Sequence, residues 1–122
     1  MPFEVVRRAV DVFAPSSRNS KGVGLMNAYG QTEATGSMTF LGPDDHRLDG
    51  TVEENDKKLE RLRSVGRTMA DIDVAILAPD GRRQPAKEEG EICIRGDRVM
   101  KGYNKRDDDT ESALRAGCQH TG

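Results

Sequence analysis

Apolar side chains recur at Phe3, Val6, Val10 and Phe13, with Ala9 filling the same side. That spacing predicts a helix over residues 3–13 with one buried face. Pro2 suits its first turn and Pro15 ends it. Residues 16–22 are polar and rich in breakers, which predicts a loop. Residues 23–29 form a short, mostly apolar run into Gly30, a strand candidate. Helix, loop and strand in that order make half of an α/β unit.

Residues 41–51 read as loop by composition, and residues 53–63 are a charged run with Leu59 and Leu62 as apolar contacts. Glu53/Lys57 and Glu54/Lys58 have the i,i+4 order that supports a helix. From Val65 the period changes. Ile72, Val74 and Ile76 alternate with Asp73, Ala75 and Leu77, a strand pattern. Pro79-Asp80-Gly81 marks a turn. Residues 91–95 predict a second strand, with Ile92 and Ile94 on one face and Cys93 on the other, and residues 98–103 a third. Residues 110–116 predict a short helix with Thr110 as N-cap and Gly117 as stop. The expected fold class is α/β. Residues 1–64 are expected to end an α/β subdomain, and residues 65–122 to form a small, mostly antiparallel, barrel-like β subdomain.

Composition changes this picture in one respect. Leu, Ile, Val and Phe make up only about a fifth of the 122 residues, near the range where disorder begins. The net charge of −2 lacks the self-repulsion that accompanies disorder. The chain is therefore expected to be a folded segment whose core partners lie in sequence beyond both ends. The charge balance offers no basic face for nucleic acid. No apolar run approaches the ~18 residues of a membrane helix. Met1-Pro2-Phe3-Glu4 does not begin a signal peptide, since no apolar core follows it. Cys93 and Cys118 stand far apart without CxxC spacing, so sequence signals neither a zinc site nor a disulfide framework. Two reduced thiols in a cytoplasmic protein is the expectation. Oligomeric state leaves no mark.

Chemistry concentrates in Asn27-Ala28-Tyr29-Gly30-Gln31-Thr32-Glu33, where a strand ends in a glycine turn. Ligands of α/β sheets bind outside the carboxyl ends of strands. Tyr29 offers an aromatic face on which a base can stack. Gly30 lets the backbone approach a ligand. Thr32 can donate a hydroxyl to a phosphate oxygen. Glu33 can give Mg²⁺ a hard carboxylate oxygen. A second account fits the same residues: Tyr-Gly is common in turns, and Thr before Glu is often a helix N-cap. His46 reads as a surface loop histidine. Cys118 and His120 suggest a pair of metal ligands, but two ligands do not make a site.

Residues 27–33 resemble the tyrosine-glycine-x-threonine-glutamate motif of the adenylate-forming (AMP-binding) superfamily. That superfamily includes acyl-CoA synthetases, firefly-type luciferases and peptide-synthetase adenylation domains. Gly90-Glu91-Ile92-Cys93-Ile94-Arg95-Gly96, with Val99, Gly102-Tyr103 and Thr110, is similar to the block that follows it in order and spacing. His120-Thr121-Gly122 resembles the start of the superfamily's (His or Arg)-Thr-Gly-Asp motif. Gly66-Arg67 and the Asp80-Gly81 turn fall where members carry them, and Met1-Pro2 with its helix resembles the segment before the first motif.

The resemblance implies roles residue by residue. Tyr29 would stack on adenine, with Asn27 and Ala28 at the adenine edge and Gly30 in the turn. Thr32 would hold the α-phosphate, Glu33 would bind Mg²⁺, and Gln31 would sit beside the acyl-phosphate. Thr32 and Glu33 are thus the implied catalytic pair, and residues 90–103 are implied as scaffold. The implied parent reaction joins a carboxylic acid to ATP as acyl-AMP and then to coenzyme A. The residues from Gly30 to Gly36, with Leu41 to His46 and Leu59 to Arg67, favour a fatty or other acid–CoA ligase. Peptide-synthetase domains more often have proline where Gln31 stands. Cys118 replaces the aromatic residue usual in acyl-CoA synthetases. In the family an aspartate follows the glycine matching Gly122, and a phosphate loop and a catalytic lysine lie outside these residues, so the chain alone is expected to be inactive. A non-catalytic AMP-binding module, a purely structural piece and a peptide-synthetase piece remain as alternatives.

Overall fold

A computed structural model describes residues 2–13 and 23–122, so the loop expected at 16–22 and the role of Pro15 lie outside the described residues. The elements in chain order are α1 (Phe3–Phe13), β1 (Asn27–Gln31), β2 (Gly36–Leu41), α2 (Val52–Arg61), β3 (Arg67–Thr68), β4 (Asp73–Leu77), β5 (Glu91–Arg95), α3 (Asp107–Ala113) and β6 (Gln119–His120). Short 3-10 turns occupy Thr32–Ala34, Pro43–His46 and Arg115–Gly117. The strands form two three-stranded sheets, β1-β2-β3 and β4-β5-β6. Helices and sheets together are an α/β fold. Among the described residues neither sheet closes into a barrel. The chain divides into two compact units, Met1–Tyr29 with Thr39–Arg67, and Gly30–Met38 with Thr68–Gly122.

The first unit is organised around α1. Val6 and Val10, one helical turn apart, are buried with Leu41 and Leu62, and Phe3, Leu25, Leu48 and Leu59 pack around them. Phe13 does not join this face as its spacing predicts. It ends the helix 43 % exposed, while the buried stripe stops at Val10. Arg63 lays its guanidinium 4.3 Å from the Phe3 ring centroid, a cation–π contact. The strand expected at 23–29 begins only at Asn27.

The helix expected at 53–63 is displaced by a cap that the charge pattern did not reveal. Thr51 accepts the Glu54 N–H while the Glu54 carboxylate accepts the Thr51 N–H, a capping box that starts α2 at Val52. Glu54 is thereby taken from the expected Lys58 pair. Lys58 instead donates to the Arg47 carbonyl at 2.6 Å and lies 3.5 Å from Asp49. The Glu53–Lys57 pair forms at 2.7 Å. The loop at 41–51 contains the Pro43–His46 turn, and His46 is not a surface residue. It is buried, with Nδ1 2.8 Å from the Gly42 carbonyl of its own turn.

In the second unit β4 and β5 pair antiparallel from Asp73↔Arg95 to Leu77↔Glu91, joined through the Pro79-Asp80-Gly81 turn, where Gly81 N–H donates to Ala78 at 2.9 Å. Gly81 takes φ 79°, as such a turn requires. β5 is the central strand. Cys93 and Ile94, successive and so on opposite faces, are both almost fully buried, whereas Ile92 is half-buried. The expected third strand at 98–103 is absent. Its backbone is satisfied otherwise, with Val99 N–H donating to Gly96 and Met100 N–H to Glu33. The third strand is β6, whose Gln119 and His120 pair with Ile94 and Cys93. The expected helix at 110–116 begins earlier, at Asp107. Asp107, Asp108 and Asp109 set negative charge on its first turn, where the helix dipole favours it. Thr110 is therefore not the N-cap. Its hydroxyl donates to the Arg106 carbonyl at 2.8 Å and accepts the Tyr103 N–H at 2.9 Å.

Candidate functional site

β1 carries Asn27 through Gln31 and runs directly into the turn of Thr32, Glu33 and Ala34. Alternation places Asn27, Tyr29 and Gln31, all half-buried, on one face of the strand and exposed Ala28 and Gly30 on the other. The turn closes through the Thr35 N–H, which donates to Thr32 at 2.9 Å, with Thr35 itself left-handed at φ 56°. Ala34 is fully buried and anchors the turn. Gly30 is demanded by the protein's own backbone. A Cβ there would fall on the Gly36 carbonyl and within 2.6 Å of Ser37 Cα.

Glu33 is held from two sides by residues far along the chain. Its carbonyl accepts the Met100 N–H at 2.7 Å, and its Oε1 accepts the Tyr103 hydroxyl at 2.8 Å. A hydrogen bond from its own backbone N–H, then the Tyr103 phenol, hold the Glu33 carboxyl below the usual carboxylate range, while burial opposes them. Tyr103 is raised in return, chiefly by its bond to Glu33, so it remains the donor. Glu33 is thus an ionised carboxylate oriented by a neutral phenol. Among the described residues it has no ion pair.

Thr35 Oγ1 donates to the Arg98 carbonyl at 2.7 Å. Arg98 Nη1 donates to the Ser37 carbonyl at 3.1 Å, and its Nε lies 2.9 Å from Asp71 Oδ2. The segment 96–103 therefore braces the turn. Gln31 is engaged within its unit: Oε1 accepts from Gln119 Nε2 at 2.9 Å, and Nε2 donates to the Thr121 carbonyl at 3.4 Å. Thr32 is exposed, and its hydroxyl makes no hydrogen bond among the described residues. Sequence spacing does not mark Tyr103, Met100 and Arg98 as partners of the turn, since Tyr103 lies 70 residues from Glu33. The one signal for them was Gly102-Tyr103 inside the second block of the resemblance.

The donor set fits a magnesium ion bound with substrate phosphates, which needs one or two carboxylates and keeps its other positions for phosphate and water. Glu33 supplies one ionised carboxylate that is in no ion pair among the described residues, and Thr32 a hydroxyl beside it in sequence. Burial pushes the Cys93 thiol up to about 11.

The AMP-binding enzyme family matches residues 1–104, which include the whole turn and its Tyr103 brace. The chain belongs to that family. Its members are adenylate-forming, ATP-dependent ligases. Over 117 residues the chain is 36 % identical to a 4-coumarate–CoA ligase-like protein of Oryza sativa subsp. japonica, covering 93 % of this chain and 19 % of that one. It is 31 % identical over 102 residues to a 2-succinylbenzoate–CoA ligase of Bacillus cytotoxicus, covering 84 % and 18 % respectively. The solved amide bond synthetase of Marinactinospora thermotolerans superposes with a TM-score of 0.75 at 28 % identity, over 98 % of this chain and 21 % of that one. The chain thus spans about a fifth of the length of each of these three proteins. Among the described residues no helix is long and apolar enough to cross a membrane.

Proposed function

We propose that the family member carrying these residues is a carboxylic acid–CoA ligase, with a fatty acid or another organic acid as substrate. The observation that carries the reading is that the family match contains a turn whose one carboxylate is ionised and oriented by Tyr103 rather than held in an ion pair. The acid's carboxylate oxygen attacks the α-phosphorus of ATP, the bond to the bridging oxygen breaks, and pyrophosphate leaves. The thiol of coenzyme A then attacks the acyl carbon and expels AMP.

Each residue of the turn has a part in this scheme. Tyr29 stacks on the adenine, with Asn27 and Ala28 at its edge. Thr32 donates its hydroxyl to an α-phosphate oxygen, and Gln31 borders the acyl-phosphate. Glu33 holds magnesium, which when bound supplies Lewis-acid neutralisation of phosphate charge. Tyr103 orients Glu33, and Met100 fixes the backbone of the turn. Residues 1–64 end the α/β part, and 65–122 begin a barrel-like β-rich part. The site works in the cytoplasm. The remaining four-fifths of the enzyme complete the charge stabilisation that phosphoryl chemistry demands, so the 122-residue chain alone is inactive.

The test is ATP–pyrophosphate exchange in the full-length enzyme against a panel of aliphatic and aromatic acids. Glu33→Gln and Tyr29→Ala should each lower exchange by at least tenfold. Exchange that survives both substitutions would overturn the assignment. Calorimetry of the chain with AMP tells a nucleotide-binding turn from a purely structural piece.

A further inference from the structure

In the second unit β5 and β6 gather side chains that the sequence scatters. The register sets His120 opposite Cys93, and Cys118, two residues before His120, falls on the same side of its strand. Cys93 Sγ lies 3.2 Å from His120 Nδ1, and Cys118 Sγ lies 3.7 Å from Nε2. One ligand atom from each of the three residues lies within 4.8 Å of the others. Both cysteines are buried free thiols.

The 3.7 Å between Cys118 Sγ and His120 Nε2 matches a thiolate metal centre. Bonds of about 2.3 Å to sulfur and 2.0–2.1 Å to nitrogen at tetrahedral angles put neighbouring ligand atoms about 3.5–3.8 Å apart. Glu91 Oε2 lies 2.7 Å from His120 Nδ1, and Gly122 N–H donates to its other oxygen at 3.4 Å. A carboxylate on Nδ1 is the partner that metal-bound histidines carry, since it directs the lone pair of Nε2 to the ion. Arg115 Nη2, 3.0 Å from Glu91 Oε2, is the one cation in contact with this carboxylate among the described residues. A surface cleft lined by Glu91, Arg95, Arg115, Cys118 and His120 gives an ion access.

We infer that Cys93, Cys118 and His120 form a binding site for a thiolate-seeking divalent cation of the zinc class, with Glu91 positioning the imidazole. The fourth position goes to water or to Glu91 itself. On binding, each thiol releases its proton to solvent, and the two thiolates balance the charge of the ion. The ion then clips β6 to β5, and β6 carries the Gln119 that pairs with Gln31. This site is independent of nucleotide binding.

The test uses the reduced chain stripped of metal by chelator. Titration with Co²⁺ should produce thiolate-to-cobalt charge-transfer absorption that saturates at one ion per chain, and Zn²⁺ should abolish it. Cys93→Ser and Cys118→Ser should each remove that band, and Glu91→Gln should weaken affinity about 10–100-fold. Zn²⁺ should also shield both wild-type thiols from iodoacetamide, a readout that survives if a variant fails to fold. Absence of the band, a band unchanged by both cysteine variants, or a resting Cys93–Cys118 disulfide in the mass spectrum would each overturn the inference.

Discussion

Gly30→Ala probes the close approach of β1 to β2 directly. An ideal Cβ at Gly30 meets Ser37 Cα at 2.6 Å and the carbonyl of Gly36 closer still. Carbon atoms in contact sit about 3.5–4.0 Å apart, so backbone must move by about 1 Å. The obstacle is main chain, which has no rotamer to give, and the cost belongs at the top of the ~1–3 kcal/mol overpacking range or beyond it. Loss of glycine's freedom in the unfolded chain returns about 0.4–1 kcal/mol. The expected net loss is about 2–3 kcal/mol. Gly36→Ala is the internal control, because a Cβ there meets nothing within 4 Å and only the φ of 105° resists it. Its cost is about 1–2 kcal/mol less the same entropic return. Both sites lie in the second unit, so one unfolding transition reports on both. Urea denaturation followed by circular dichroism, with unchanged slopes, should rank wild type above Gly36→Ala and Gly36→Ala above Gly30→Ala. A Gly30→Ala variant as stable as Gly36→Ala would show that the motif glycine is not required by the hairpin, and its role would pass to the ligand.

Four further outcomes follow from single contacts. Leu62→Ala removes a side chain 2 % exposed against Val6, Val10 and Leu41 and should cost about 2–5 kcal/mol in urea denaturation; a loss below about 1 kcal/mol would mean that this cluster is not packed. Thr51→Ala deletes the cap of α2 and should cost about 1 kcal/mol, again read by denaturation, with no loss refuting the capping box. Glu54 is lowered below 4.5 first by the Thr51 N–H. Its contribution is therefore complete above the unfolded value and fades as pH falls through the lower folded one; Glu54→Gln should lack this acid dependence, and equal profiles would sink the assignment. Tyr103→Phe should raise the Glu33 carboxyl towards 4.5 but not fully, since the larger cause, its own backbone N–H, remains; carboxyl-carbon NMR titration without metal reads this, and an unmoved midpoint refutes the phenol contact.

What was legible in sequence and what was not divides along the range of the interactions. The α1 stripe of Val6 and Val10, the Pro79-Asp80-Gly81 turn and β5 are set by neighbours in the chain, and period and turn chemistry revealed them. The capping box of Thr51 and Glu54 was equally local, yet charge spacing alone pointed Glu54 at Lys58 and hid it. β6 is only two residues long and exists because Ile94 and Cys93 supply its partners, so no periodicity could announce it. His46 looked like a surface residue for a related reason: a 3-10 turn folds its ring onto the Gly42 carbonyl, and composition does not encode that fold-back.

The turn from Tyr29 to Glu33 shows why a motif and its geometry carry different information. The residue types state which chemistry is available: an aromatic face, a hydroxyl, a carboxylate. They do not state that the carboxylate is aimed. Aiming comes from Tyr103 on the side chain and Met100 on the backbone, and both belong to a segment whose expected strand does not form. Had residues 98–103 paired as a strand, their N–H groups would have gone to a sheet neighbour and Met100 would not be available to Glu33. The absence of that strand and the orientation of Glu33 are one event. An irregular segment keeps its hydrogen-bonding groups for a partner distant in sequence, and that is where an orienting contact can be built.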